Sequence, residues 1–386
     1  MSSRKFLTQK ELEAALEEAI DELEVEGHEA KQGIPFRGHR DDGPLLEESN
    51  VTNNEGNFRE LLRFRIEAGD KTLEEHLRNT SSRATYISKR TQNELIECCK
   101  EILSVIVKKI GDAKYYSIMF DETTDIAHVS QMSIVIRYLE GNNVREDFVS
   151  FIDCHSENYE LSPDTLEPVL NGTILGKTVI KQVQKFGLPL ENCVGICTDG
   201  CSVMTSKQQG AVQEAQKKMK QETMDLFNLQ ICVPVILINS NEDGIHSAVE
   251  ILIEKYGSLF ETCRDVLKST FIAELHLWKM RWIHSKELEI PSDGLNALNQ
   301  CDKMMYPIIH DILKILCTLP VSVASAERSF SGLRRLKSWL RANMGEDRLS
   351  GLALMHVVHK DIVINESNVI ERFANSGVRR NMEFVM

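Results

Sequence analysis

Apolar residues recur at two different periods along this chain, and the changes of period divide it. Leu12, Leu16, Ile20 and Leu23 are spaced for one face of a helix, and Thr8 followed by Glu11 has the form of a capping box, so residues 1–27 predict an amphipathic helix. Residues 28–56 lose the period and gain turn formers and charge, the composition of a linker. Helical spacing returns over 57–112, through Leu61, Leu62, Phe64 and Ile66 and then Leu95, Ile96, Leu103 and Val107. From Tyr115 the pattern turns to strands. SIMFDETTD, QMSIVIRYLE and EDFVSFIDC are β-rich runs separated by turn-like residues such as Gly141-Asn142-Asn143. Pro163 to Phe186 then reads as helix, CVGICTD as a buried strand and Ser206 to Lys220 as helix again.

Over 221–300 the periodicity is poor. ICVPVILIN fits a strand or part of a buried helix, HSAVEILIEKYGSLFETCRDVLKS reads as one helix, and HLWKMRWIH carries two of the three tryptophans. YPIIHDILKILCTLP predicts a helix leading into the segment Leu319–Ile362. There Ala326, Phe330, Leu333, Leu336 and Leu340 form an apolar stripe opposite Glu327, Ser331, Arg334, Ser338 and Arg341. The apolar pattern continues in Leu349, Leu352, Leu354, Met355, Val357 and Val358, which exceeds what one helix needs to pack. That surplus predicts self-association through Phe330, Leu333, Leu336, Leu340, Leu349, Leu352 and Leu354.

Composition narrows the class. A chain of 386 residues with 42% apolar content can bury a sizeable core in one large domain or two to three smaller ones. The formal charge of −13 excludes a protein that grips a nucleic acid backbone over its whole surface, although Arg334, Arg335, Lys337 and Arg341 make a local basic stripe that reads as a solvated face or a phosphate contact. The first thirty residues, with nine acids and three bases, carry a large part of that charge, so the leading helix is also a candidate for recruiting a partner. Ten cysteines without framework spacing and a start too acidic for a targeting peptide predict a reducing, intracellular location. No apolar run approaches the roughly eighteen residues a membrane span requires, so no membrane partner is expected.

Three carboxylates are placed for chemistry. Asp121 follows the predicted strand Ser117–Phe120, Asp199 ends Cys193–Thr198 just before Gly200, and Glu327 lies on the late helix, where by itself it reads as a solvated glutamate. Acids on two strand ends and one helix suit two-metal phosphoryl transfer with Mg²⁺ or Mn²⁺, because hard cations take oxygen ligands and a pair of them flanks the attacking and leaving oxygens. Glu122 and Asp125 share a loop with Asp121 and are alternative ligands. Gly172-x-x-x-Gly176-Lys177-Thr178 falls one residue short of a phosphate-binding loop and reads as a turn within a helical region. Cys193, Cys197 and Cys201 are spaced by four, with the first two in a buried strand, which favours core packing over a metal site.

The run ASAERSFSGLRRLKSWLRANMGEDRLSGLALM resembles the C-terminal signature of the hAT (hobo/Activator) transposase superfamily, and is most similar to its domesticated zinc-finger MYM-type relatives. MFDETTDIA with QMSIVIRY is similar to that family's first-aspartate motif, and CTDGCSVMTSKQQG to its second. The resemblance therefore implies a catalytic and metal-binding triad of Asp121, Asp199 and Glu327. It implies an α/β fold with an RNase H-like core (first part 113–220), a helical insertion over 221–300 and C-terminal dimerisation helices over 301–365, followed by a tail over 366–386. Two departures bear on activity. Asp199 and Glu327 are 128 residues apart, too close for the family's long insertion, and Asp243-x-x-His246 lacks the surroundings of its C/D-x-x-H motif. No zinc finger precedes Asp121. The implied function is dimerisation by a catalytically impaired, transposase-derived nuclear protein, as a homodimer or with a related hAT-derived chain. An active metal-dependent DNA transposase or nuclease and a transcription or chromatin binding module are the alternatives, DNA is a possible partner, and no small-molecule substrate is expected.

Overall fold

A computed structural model describes residues 36–38, 41, 45–46, 54–79, 87–98, 101–154, 171–199, 210–219, 226–284, 289–338 and 344–357. The helix expected over 1–27, the tail over 366–386, and Leu340, Arg341 and Cys201 lie outside the described residues. In chain order the elements are α1 (Asn57–Glu67), α2 (Lys71–Asn79), α3 (Lys89–Cys98), α4 (Glu101–Ala113), β1 (Tyr116–Thr124), β2 (Ser130–Glu140) and β3 (Asn143–Asp153). There follow α5 (Gly172–Lys185), β4 (Cys193–Cys197), α6 (Ala211–Met219), α7 (Leu226–Leu229), α8 (Pro234–Asn239) and α9 (Glu242–Tyr256). The chain closes with α10 (Arg264–His284), α11 (Gly294–Asn299), α12 (Pro307–Thr318), α13 (Ala324–Leu336) and α14 (Glu346–Val357). This is a mixed α/β fold in two compact units, one of Met1–Val105, Thr124–His128 and Ser329–Met386, the other of Ile106–Thr123 and Val129–Arg328.

The second unit holds a four-stranded sheet in the order β3-β2-β1-β4. β2 and β3 pair antiparallel from Gln131↔Asp153 to Glu140↔Asn143 across a tight turn in which Gly141 takes φ 62°, a conformation that suits glycine. β4 returns parallel to β1 after α5, as a crossover helix allows. Ile118, Met119, Phe120, Ile134, Ile136 and Phe151 are buried along these strands. α5 lies so close to α6 that a Cβ on Gly176 would stand 2.7 Å from the Ala211 carbonyl oxygen. The near-P-loop string is thus helix rather than a turn: Asn171 caps α5 by accepting from the Ile174 amide at 3.0 Å, and Gly176 is there for helix packing.

Helices α7 to α12 enclose a core of Leu229, Ile231, Leu252, Phe271, Leu275, Trp278, Trp282 and Leu313, among others. Pro234 opens α8, so ICVPVILIN is a 3-10 turn and a short helix, not a strand. The long helix expected next is two, α9 and α10, broken at Gly257. They run antiparallel, with Glu250 beside Lys268 and Glu242 3.3 Å from His276. Trp278 Nε1 donates to the Cys232 carbonyl at 3.0 Å, and the two tryptophan rings meet edge to face at 5.3 Å.

In the first unit α14 lies on α3, where a Cβ on Gly351 would stand 2.7 Å from Ile96. The described residues of 28–56 correct the linker reading: Phe36, Asp41 and Leu45 are buried, Lys89 pairs with Asp41 at 2.7 Å, and the Phe58 amide donates to the Phe36 carbonyl at 3.2 Å. Among the described residues, the apolar surplus expected on α13 and α14 is not at the surface. Phe330, Leu333, Leu336, Leu349, Leu352 and Leu354 are all buried within the single chain, where they serve its own core. Lys337 leaves the basic stripe too: its ammonium pairs with Asp125, and both side chains are buried. Arg334 and Arg335 are exposed.

Candidate carboxylate site

The parallel register of β1 and β4 brings the two aspartates to one place. Met119 is level with Cys197, and Asp121 and Asp199 lie two residues beyond those partners, at the same end of adjacent strands roughly 5 Å apart. β1 continues to Thr124, so Asp121 stands inside the strand, just past its pairing with β4. Its side chain is nearly buried, at 7% residue exposure, and Oδ1 accepts from the Glu122 amide at 2.8 Å, whereas Asp199 is exposed.

Glu327 reaches the same neighbourhood along a tethered path. Cys317 ends against β2, where Arg137 donates to its carbonyl oxygen at 2.9 and 3.2 Å. Leu319 and Pro320 then pass over β4 at Gly195, whose missing side chain makes room: a Cβ there would stand 2.8 Å from Pro320 and 2.7 Å from the Ser117 hydroxyl. At the start of α13, Ser325 donates its hydroxyl to Glu146 of β3, and Glu146 also accepts from Arg137 at 2.6 Å. The helix start is therefore fixed to three strands, and Glu327, exposed in the first turn, follows from it.

The electrostatics register the convergence. The Asp121 carboxyl is pushed up from the ordinary aspartate range, first by burial and then by the negative charges of Asp199, Glu327 and Glu122, against the opposing Glu122 amide. Asp199 and Glu327 thus both lie near enough to act on Asp121. Their oxygens are the donor type that a hard divalent cation takes. Among the described residues, however, no three His, Cys, Asp or Glu side chains stand close enough together to ligate one ion. Asp125 is occupied elsewhere, with Lys337 and with the Ala127 amide at 2.7 Å. Burial pushes the Cys193 thiol up to about 12 and raises Cys197, so neither offers a ready thiolate.

Gly195, Arg137, Glu146 and Ser325 are the positions that sequence reasoning did not single out. Arg137 and Ser325 fall inside the quoted motifs, and that is the one signal they give. A glycine in a five-residue strand is a second signal, because it weakens a strand unless another chain segment approaches there.

Comparison with known proteins adds the family. Residues 8–210 match the model described as ZMYM1/FAM200, RNase-like domain, and residues 269–360 match the hAT family C-terminal dimerisation region. Among curated proteins, the mouse (Mus musculus) 52 kDa repressor of the inhibitor of the protein kinase is 36% identical over 110 residues, 28% of this chain and 14% of that protein. Its human (Homo sapiens) counterpart is 40% identical over 89 residues, 23% of this chain and 12% of that protein. The chain thus covers a small part of the length of these relatives.

Proposed function

We propose that this chain, which belongs to the ZMYM1/FAM200 RNase-like domain family and carries the hAT C-terminal dimerisation region, is a domesticated hAT-derived protein that works by self-association. The observation that carries this reading is the dimerisation-region match over 269–360. The sheet order β3-β2-β1-β4 with helices on a parallel β1–β4 pair supports an RNase H-like core, with 221–300 as a shortened insertion packed in one core with α12 and with Leu139 and Val194 of the sheet. Catalysis is impaired in this reading. A location in the nucleus, and contact with DNA or with a related hAT-derived chain, follow from the family and are proposed with it; among the described residues no helix is long and apolar enough to cross a membrane. Sedimentation of the full chain at tens of micromolar tests the core of the proposal, and a monomer overturns it.

The convergence of Asp121, Asp199 and Glu327 favours a second reading, retained metal-dependent DNA cleavage. The three carboxylates would hold Mg²⁺ or Mn²⁺, which supplies positive charge at the attacking and leaving oxygens of a phosphodiester. The chain's own part is positional: Asp121 and Asp199 are set by strand register, and Glu327 by Arg137, Glu146 and Ser325. A cleavage assay on matching terminal inverted repeats with Mn²⁺, beside Asp199→Asn, decides it. Equal activity in both proteins ends the idea.

A further inference from the structure

Helix α10 carries large apolar residues on two sides, and one of these sides is exposed among the described residues. Leu267, Phe271, Leu275, Trp278 and Trp282 face the core and are buried. Along another face run Val266, Thr270, Ala273, Leu277, Met280 and His284, every one exposed, separated alternately by four and three residues. Leu277 is 60% exposed, Met280 53% and Val266 51%, in a helix whose other large apolar residues are mostly inside. A helix with large apolar residues on two sides is expected to be covered on both, and a 4-3 alternation is the spacing of a two-helix seam.

We propose that this face of α10 is the seam on which a second copy of the chain docks, antiparallel, about a two-fold axis. The inference rests on the self-association reading and names the surface it uses. The dimerisation-region match begins at residue 269 and takes in most of α10, while Phe330, Leu333, Leu336, Leu349, Leu352 and Leu354 of α13 and α14 are buried in the single chain. The row is self-complementary in one direction. Antiparallel pairing sets Ala273 against Leu277, Thr270 against Met280 and Val266 against His284, so each layer joins a smaller residue to a larger one. Parallel pairing would set Ala273 against Ala273 and His284 against His284, leaving a gap in one layer and two large rings in another. The antiparallel form also brings Asp265, in the first turn of α10, beside the second copy's His284 in the last.

Sedimentation or light scattering of the full chain provides the test, with Leu277→Glu and the double variant Ala273→Lys/Leu277→Glu alongside the wild type. Leu277→Glu is expected to weaken the dimer by at least about 100-fold, since it removes two buried leucines per dimer. The double variant is expected to restore it, because the new opposite charges face each other across the two-fold axis. A wild-type monomer overturns the self-association reading and this seam with it. A wild-type dimer that persists in Leu277→Glu overturns the seam alone, and so does failure of the double variant to dimerise. Loss of helical signal in Leu277→Glu also overturns it, since the face would then be covered by a segment of the same chain.

Discussion

Glu274 sits in the middle of the apolar side of α10, only 5% exposed, and holds the start of α12. Its carboxylate accepts from the Ile308 amide at 3.0 Å and from the Ile309 amide at 3.0 Å, at a helix start where Tyr306 provides no side-chain cap and Pro307 has no N–H. Burial raises its pKa from 4.5 to about 7; the two amide bonds oppose the rise, and Asp311 adds to it. The folded chain therefore holds this proton more tightly than the unfolded chain does. Stability from this group is fully present below pH 4.5, declines as pH rises, and is lost once the pH passes about 7. At about 1.36 kcal/mol per pH unit the full change is about 3 kcal/mol. Glu274→Gln keeps an acceptor oxygen near the amides and cannot ionise. Denaturant unfolding followed by tryptophan fluorescence reads this core directly, since Trp278 and Trp282 are buried in it. Between pH 4.5 and 8 the wild type is expected to lose about 3 kcal/mol relative to the variant. Other titrating groups, Asp121 among them, are common to both proteins and cancel in the difference. Parallel curves for the two proteins would refute the reasoning.

Other substitutions test the fold around the sites. Gly195→Val drives a side chain into the Ser117 hydroxyl and Pro320, and calorimetry is expected to show a loss of about 1–3 kcal/mol from overpacking. Lys337→Met leaves the buried Asp125 carboxylate without its cation and is expected to cost about 3 kcal/mol or more; combining it with Asp125→Asn should recover part of that, and an additive double-mutant cycle would argue against the pair. Gly111→Ala in α4 meets nothing within 4 Å of its new Cβ, and a gain of about 0.5–1 kcal/mol is expected in denaturant unfolding.

The strands, the crossover helix and both aspartates were legible because they depend on local pattern: a period of two, a turn at Gly141, an acid just past an apolar run. α10 was not, because its apolar residues lie on two faces and no single stripe emerges from the sequence. Glu274 compounds the difficulty, since a carboxylate amid apolar residues gives no sign that its partners are amides 34 and 35 positions away. The same limit misplaced Lys337, read as part of a solvated stripe, while Asp125 waits 212 residues earlier in the chain. On α13 and α14 the period was read rightly, while among the described residues the stripe is already covered. An apolar stripe reports that something covers it, and here the chain itself does, as it also covers Phe36 and Leu45 in a segment that has the composition of a linker.

The three acids are held by supports of unequal strength. Asp121 and Asp199 are placed by backbone register, and any sequence that keeps β1 and β4 parallel in this register keeps them side by side. Glu327 depends on the room at Gly195 and on a polar relay through Arg137, Glu146 and Ser325, each member of which a single substitution can remove. A lineage relieved of cleavage has no need to lose its carboxylates; it is enough that the relay slackens and α13 shifts. Identity of the acids is then a poor guide to activity, and the state of the relay a better one. In this chain the relay is intact, while the three side chains do not yet close into a coordination shell among the described residues. On the cleavage reading proposed above, what distinguishes a retained site from an inherited one is therefore the placement of Glu327 rather than its presence.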